Sequence, residues 1–238
     1  MKNLVIDIGN SRIKSALFAG DELLEETVYA DLDQAIASWA ALSFQKCMVS
    51  SVRFERAELE PKFPFPVEFF SPRTTIPLVN GYDTPASLGL DRLAAAVGAW
   101  HLASGKAALL IDLGTCVTYD LVDAQGVYRG GAISPGLQMR AKAMHAFTAS
   151  LPAIELSPIP KTLQGTSTDS CLKVGVWWGL KFELAGFIEA YRVNFPEISI
   201  YLCGGDAESF DSLAKDHIFV VPNLVLIGLN CILNHHVA

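Results

Sequence analysis

The stretch LVIDIGNSRIK, residues 4–14, returns in altered form as LLIDLGTCVTYD at 109–120. Each copy is an aliphatic run ending in an aspartate (Asp7, Asp112). One apolar residue follows, then a glycine (Gly9, Gly114) and a small hydrogen-bonding side chain (Asn10, Thr115). Such a run is a buried strand, so each copy delivers a carboxylate to the end of a strand and then turns tightly. Glycine at the turn lets backbone N–H groups come close to a bound anion, and the Asn or Thr adds a polar contact. One Asp-x-Gly after a strand is ordinarily only a turn. Two in matched context predict two related lobes facing one nucleotide. Neither copy is a Walker A loop: Gly98 to Lys106 has the wrong spacing, and Ala107 follows the lysine.

Outward from these stretches the same plan is legible twice. The first half predicts strands at 3–8, 11–19 and 23–30, a helix over 33–42 and a strand at 46–50. Six prolines from Pro61 to Pro85 exclude a long regular element there. Leu90, Leu93, Ala94, Val97 and Trp100 share one face of a helix expected from 87 to 103. The second half predicts strands at 107–112, 115–122 and 126–133 and a helix over 137–147. A loop over 150–165 carries three prolines, a long helix follows to 194, and strand, helix, strand, helix complete the chain. The expectation is an α/β fold of two duplicated lobes, 1–105 and 106–238, with the ligand in the cleft between them.

Composition narrows the function. The 238 residues (25.7 kDa) carry a net charge of −7 with a pI near 5.2 and no basic run, which argues against a sequence-tolerant grip on nucleic acid. Five cysteines (Cys47, Cys116, Cys171, Cys203, Cys231) without C-x-x-C spacing predict neither a disulfide framework nor a zinc site. With no charged-then-apolar leader pattern, the expected compartment is the cytoplasm. Residues 217–238 lack Asp, Glu, Lys and Arg, but Pro222, Asn223, Asn230 and Asn234 interrupt them. The remaining apolar run falls short of the ~20 residues a bilayer requires, so a strand and a buried helix are expected and no membrane span. His235 and His236 have no Cys or carboxylate at local ligand spacing and are expected to be a frayed end.

Several residues could carry chemistry. Asp7 and Asp112, brought to one cleft, could hold cations that screen nucleotide phosphates. Lys14, on the strand after Asp7, could reach back to a phosphate, or be a solvated edge lysine. The S-x-x-K from Ser11 to Lys14 lacks the S-D-N and K-T-G that would make it a β-lactamase signature. In GYDTPASLGLDR, residues 81–92, Asp91 opens a helix, where the dipole keeps a carboxylate ionised and fit to accept a hydroxyl proton. Arg92 beside it offers a fork to a carboxylate; the same pair at a helix start also serves as capping and surface charge. GGAISPG (130–136) and CGGDA (203–207) place paired glycines where a flat ligand such as adenine could lie against backbone, or where the chain simply turns.

Taken in order and spacing, DIGNSRIK at 7–14, Y-x-x-P-x-x-L-G-x-D-R from Tyr82 to Arg92, DLGT at 112–115, GGAISPG, GTSTDSCLKVGVWWG at 165–179 and CGGDA resemble type III pantothenate kinases. That family belongs to the acetate and sugar kinase, Hsp70 and actin superfamily. The resemblance implies an actin-like ATPase fold of duplicated ribonuclease H-like lobes with a nucleotide cleft between them. The implied activity is ATP-dependent phosphorylation of pantothenate to 4'-phosphopantothenate, the opening of coenzyme A biosynthesis. It also implies a homodimer, a divalent cation (Mg2+) and a monovalent cation (potassium or ammonium).

Residue by residue, the resemblance assigns ATP binding to Asp7, Ile8, Gly9, Asn10, Ser11, Arg12, Ile13, Lys14 and Thr115, the monovalent cation to Asp112, and the general base to Asp91. Pantothenate falls to Tyr82, Gly89, Leu90, Asp91 and Arg92, with Thr168 from the partner subunit. The family usually follows D-x-G-T with Ala-Thr-Thr. Here Cys116 and Val117 precede Thr118, so the hydroxyl expected at 117 is missing. The residues alone stop at phosphorylation of a small hydroxylated acid. Another small-molecule kinase of the superfamily, or a non-catalytic nucleotide-sensing accessory protein, would share most of these features.

Overall fold

The computed structural model describes every residue except Ser11, 214–216 and 236–238. The chain opens with a meander of β1 (Lys2–Ile8), β2 (Ile13–Ala19) and β3 (Glu22–Tyr29), followed by α1 (Leu32–Ala40), β4 (Lys46–Ser51), the single turn α2 (Arg56–Leu59) and β5 (Glu68–Phe69). These strands form one sheet in the order β3-β2-β1-β4-β5. β1 is antiparallel to β2 and parallel to β4. Period-2 alternation sends Leu4, Ile6 and Ile8 to one face, where they meet Ile13, Cys47 and Val49 beneath Ala35 and Trp39 of α1, with Leu59 and Phe63. The Trp39 indole donates to Ser15 Oγ at 2.9 Å, so the largest side chain of that core brings no unsatisfied N–H with it.

After β6 (Val79–Asn80) and a 3-10 turn at Pro85–Ser87 comes α3 (Leu90–Leu102). The second sheet adds β7 (Ala108–Leu113), β8 (Cys116–Val122) and β9 (Val127–Pro135). Then come α4 (Leu137–Ala146), α5 (Thr168–Asn194), β10 (Ser199–Cys203), a 3-10 segment (Ala207–Leu213), β11 (Ile218–Val220) and α6 (Leu224–His235). The strand order is β11-β10-β7-β8-β9-β6. Apart from β6, it repeats the first sheet strand for strand, β7 standing where β1 stands; β10 and β11 are parallel, as β4 and β5 are. Asp7 and Asp112 are each the penultimate residue of the equivalent strand.

By packing, the chain divides into Met1–Ala108 with Leu121–Gly130 and Asn223–Ala238, and Leu109–Asp120 with Gly131–Pro222. These units are discontinuous because α6 returns to the first sheet and to α3, and because the start of β9 pairs with β6; the expected split was at 105/106. Its approach to α3 is backbone to backbone: a Cβ on Gly228 would lie 1.8 Å from the Ala94 carbonyl oxygen, and one on Gly98 2.5 Å from that of Leu224. On the same side, the Asn3 amide donates to Asn230 Oδ1 (2.9 Å) and Asn234 Oδ1 (2.7 Å), and Asn230 donates to the Gly20 carbonyl (2.8 Å). Three asparagines thus tie α6 to the start of β1 and to the β2–β3 turn.

Three local expectations are corrected. α3 begins at Leu90 rather than 87, because Pro85 opens a separate 3-10 turn and Gly89 is the N-cap. The helix expected between β10 and β11 is a 3-10 segment, kinked at Phe210. Gly130 and Gly131 lie inside β9 rather than after a strand.

Candidate active site

The first carboxylate sits in a hairpin whose ladder places Asp7 directly opposite Lys14 and level with Ser50 of β4. Register partners share a sheet face with Cβ atoms about 4.5–5.5 Å apart, so Lys14, Asp7 and Ser50 form one polar row across three strands. Ile8 and Ile13 are buried beneath the turn, and Gly9 N–H donates to the Arg12 carbonyl at 3.0 Å. Asn10 and Arg12 are exposed at the tip; Ser11 lies outside the described residues. Ser50 is fully buried and its Oγ has no hydrogen-bond partner among the described residues.

At the start of α3, the Asp91 carboxylate accepts its neighbour's amide, Arg92 N–H to Oδ1, at 2.9 Å. It lies back over the N-cap: a Cβ on Gly89 would come within 2.5 Å of Oδ1. Asp91 is therefore not the capping residue. It occupies the first turn, in the positive end of the helix dipole, and Gly89 makes the room it uses. The Arg92 guanidinium stands 6.0 Å from the centre of the Tyr82 ring, and that ring packs on Gly130 and, tilted, on Tyr128. Tyr82, Gly89, Leu90, Asp91 and Arg92 thus come together. Of the two readings of Gly130 and Gly131, a flat ligand or a simple turn, neither describes the pair: the face of Gly130 is taken by Tyr82, and a Cβ on Gly131 would strike the Tyr119 carbonyl.

Around the second carboxylate, three sequence clusters converge. Gly114 N–H donates to the Cys116 carbonyl (3.1 Å), closing the loop after β7. Cβ atoms on Gly114 and Gly204 would lie 2.9 and 2.5 Å from Asp112 Oδ1, and Gly204 holds φ at +90°, a conformation glycine adopts at little cost. Gly136, the N-cap of α4, donates to the Thr115 carbonyl at 3.2 Å, and a Cβ there would be 2.4 Å from the Gly114 carbonyl. DLGT, GGAISPG and CGGDA therefore meet at one carboxylate, with Thr115 exposed beside it and Gly205 open. Val117 is fully buried; the next hydroxyl along, Thr118 Oγ1, is buried without a partner among the described residues. Among those residues no group of three or more His, Cys, Asp or Glu could hold a metal ion. A cation beside Asp112 would be met by one carboxylate and backbone oxygens, a donor set that fits a hard ion.

Thr168 is exposed at the first residue of α5, which Ser167 caps in a reciprocal box with Ser170. Sequence reasoning missed a polar network farther along that helix. Glu183 Oε1 accepts Tyr119 OH (2.8 Å) and Ser134 Oγ (2.5 Å), and Oε2 accepts Arg140 Nη2 (2.5 Å). Arg140 Nε also donates to the Pro135 carbonyl at 2.7 Å. Burial pushes the Glu183 carboxyl up, but the donors from Ser134, Arg140 and Tyr119 outweigh it and hold the group below its ordinary value. Burial, with Glu183 alongside, pushes the Tyr119 phenol up, so it remains a donor.

A family model described as type III pantothenate kinase matches residues 3–190. A type III pantothenate kinase of Bacteroides fragilis is 41% identical over 242 residues, covering 98% of each chain. Among solved structures, a Baf family protein from Campylobacter jejuni matches with a TM-score of 0.62 at 20% identity over 98% of each chain. An inorganic polyphosphate/ATP-glucomannokinase from Arthrobacter matches at 0.52 and 14% over 99% of each. At those identities the structural matches establish the fold, that of the actin-like ATPases and sugar kinases. With the model spanning most of its length and the Bacteroides relative aligned nearly end to end, the chain belongs to the type III pantothenate kinase family.

Proposed function

We infer that this chain transfers the γ-phosphoryl group of ATP to the terminal hydroxyl of pantothenate, giving 4'-phosphopantothenate and ADP, the first step of coenzyme A biosynthesis. Family membership supplies the acceptor. The observation that carries the chemistry is the grouping of Asp91, Arg92 and Tyr82 at the first turn of α3. There the Arg92 fork meets the pantothenate carboxylate, with Tyr82, Gly89 and Leu90 along the acceptor. The Asp91 carboxylate takes the hydroxyl proton as the oxygen attacks the γ-phosphorus and the bond to ADP breaks.

The hairpin from Asp7 to Lys14 takes the phosphates. Its tip offers backbone N–H groups at Asn10 and Arg12, and Lys14 adds a point charge in the row shared with Asp7. Thr115 contacts ATP. Asp112, in the space left by Gly114 and Gly204, would hold potassium or ammonium, and Mg2+ would supply screening of the phosphate charge. The enzyme works as a homodimer in which Thr168 of one subunit reaches the pantothenate of the other, a role its exposure at the tip of α5 allows. The compartment in this reading is the cytoplasm; none of the five cysteines is in a disulfide, and no described helix is long and apolar enough to cross a membrane.

ADP release is the test, measured with pantothenate against a panel of small hydroxy acids and alcohols, in potassium and in sodium. Pantothenate-dependent turnover is expected. ADP release that ignores pantothenate but follows another acceptor would overturn the substrate.

A further inference from the structure

We propose that Glu183 is a positioning residue for nucleotide binding: it fixes the loop of Gly114 and Thr115 through Ser134, Arg140 and Gly136. This rests on the kinase reading above. The loop is a tight turn closed by the bond from Gly114 N–H to the Cys116 carbonyl and held at its start by Asp206 N–H on the Leu113 carbonyl, 3.0 Å. Its Thr115 end is seated by Gly136, whose N–H binds the Thr115 carbonyl and whose lack of a Cβ lets the backbones touch.

Gly136 has no side chain with which to cap α4, and its own position depends on its neighbours on either side. On one side Ser134, at the end of β9, is held by Glu183. On the other, Arg140 reaches back from the first turn of α4 to the Pro135 carbonyl and is held by the same carboxylate. Tyr119, on the strand leaving the loop, is the third donor. A single carboxylate on a 27-residue helix therefore grips the segment before Gly136, the segment after it, and the strand leading out of the loop. The side chains of Arg140 and Glu183 are 21% and 23% exposed, sheltered enough for these charge-assisted bonds to hold geometry and not merely decorate a surface.

The prediction separates nucleotide from acceptor. Glu183→Gln keeps the volume but loses the charge that gathers three donors at once, so the seat of Gly136 loosens. A nonhydrolysable ATP analogue should bind about tenfold more weakly, about 1.4 kcal/mol. KM for ATP should rise in step, with KM for pantothenate nearly unchanged. Ser134→Ala, a milder change, should move analogue binding the same way, and adding it to Glu183→Gln should cost less than the two separate effects combined, as members of one unit do. Direct analogue binding needs no acceptor turnover, so it stands even if the pantothenate assignment fails. If the folded variants bind the analogue as the wild type does, with only their melting temperatures lowered, the network is structural and the proposal is wrong. Equal loss of affinity for ATP and pantothenate would overturn it as well.

Discussion

Asp91→Asn separates the two roles a carboxylate at a helix start can play. One oxygen of Asp91 is committed: Oδ1 accepts Arg92 N–H at 2.9 Å and fills the space above Gly89. An asparagine keeps that contact through its amide oxygen, so the substitution removes basicity and charge while preserving shape. Loss of a positioned general base costs about 10² to 10⁴ in rate, or roughly 2.7–5.5 kcal/mol on the barrier at about 1.36 kcal/mol per tenfold. As a mere first-turn charge against the helix dipole, Asp91 is worth only about 0.3–1 kcal/mol, a melting shift of no more than about 4 °C in a chain of this size. The two magnitudes do not overlap. A coupled assay of ADP release should show kcat reduced by that 10² to 10⁴ range, with ATP-analogue affinity and melting temperature close to wild type. Near-normal kcat with a small melting shift would reduce Asp91 to a helix-start charge and send the search for the base elsewhere.

Three other outcomes are expected. Gly228→Ala should lower the urea midpoint without changing the slope, because its Cβ would lie 1.8 Å from the Ala94 carbonyl oxygen and backbone cannot swing aside; overpacking costs roughly 1–3 kcal/mol, and an unchanged midpoint would refute the contact. Turnover should require potassium or ammonium, and Asp112→Asn should weaken that dependence or abolish activity, whereas full activity in a sodium-only buffer would count against a cation at Asp112. At the β8–β9 turn, burial pushes the Asp123 carboxyl up but bonds from Val127 N–H, Arg129 and Gln125 N–H more than offset it and hold it below its ordinary value. Its folded value is thus below its unfolded one: the contribution is present above the unfolded value of about 3.9 and lost as pH falls through the folded one. Melting temperature should drop across that acid window, and Asp123→Asn should flatten the drop; an unaltered slope would show the turn contributes nothing there.

What was legible in the sequence is what is local along it. The repeated Asp-x-Gly gave away the duplicated sheet because strand, turn and return strand are consecutive residues, and the ladder from Asp7–Lys14 to Ile8–Ile13 follows from that alone. Asp91 and Arg92 were singled out for the same reason, being adjacent on one turn. Glu183 was not, since its partners lie 43, 49 and 64 residues away and nothing local in the helix distinguishes it from a solvated glutamate. The return of α6 to α3 was equally hidden: Gly98 and Gly228 look like weak points of two helices until they are set against each other.

The glycines show where sequence reasoning of this kind stops. A glycine in a strand or at a strand end announces that something approaches the backbone, but not what. Gly114 was read as letting backbone N–H groups approach an anion, and the group that crowds it is the Asp112 carboxylate two residues earlier. At Gly130 and Gly131 the sequence left a flat ligand or a simple turn open, and the approaching groups are the Tyr82 ring and the Tyr119 carbonyl. The difference is sequence distance. Asp112 is fixed relative to Gly114 by a tight turn, whereas Tyr82 reaches Gly130 only because β6 pairs with β9, Val79 to Val127 and Asn80 to Tyr128. With two residues of strand and prolines on both sides, β6 carries almost no periodic signal of its own. The pairing that brings Tyr82 against Gly130 and Tyr128, at the place proposed for the acceptor, had to come from tertiary structure.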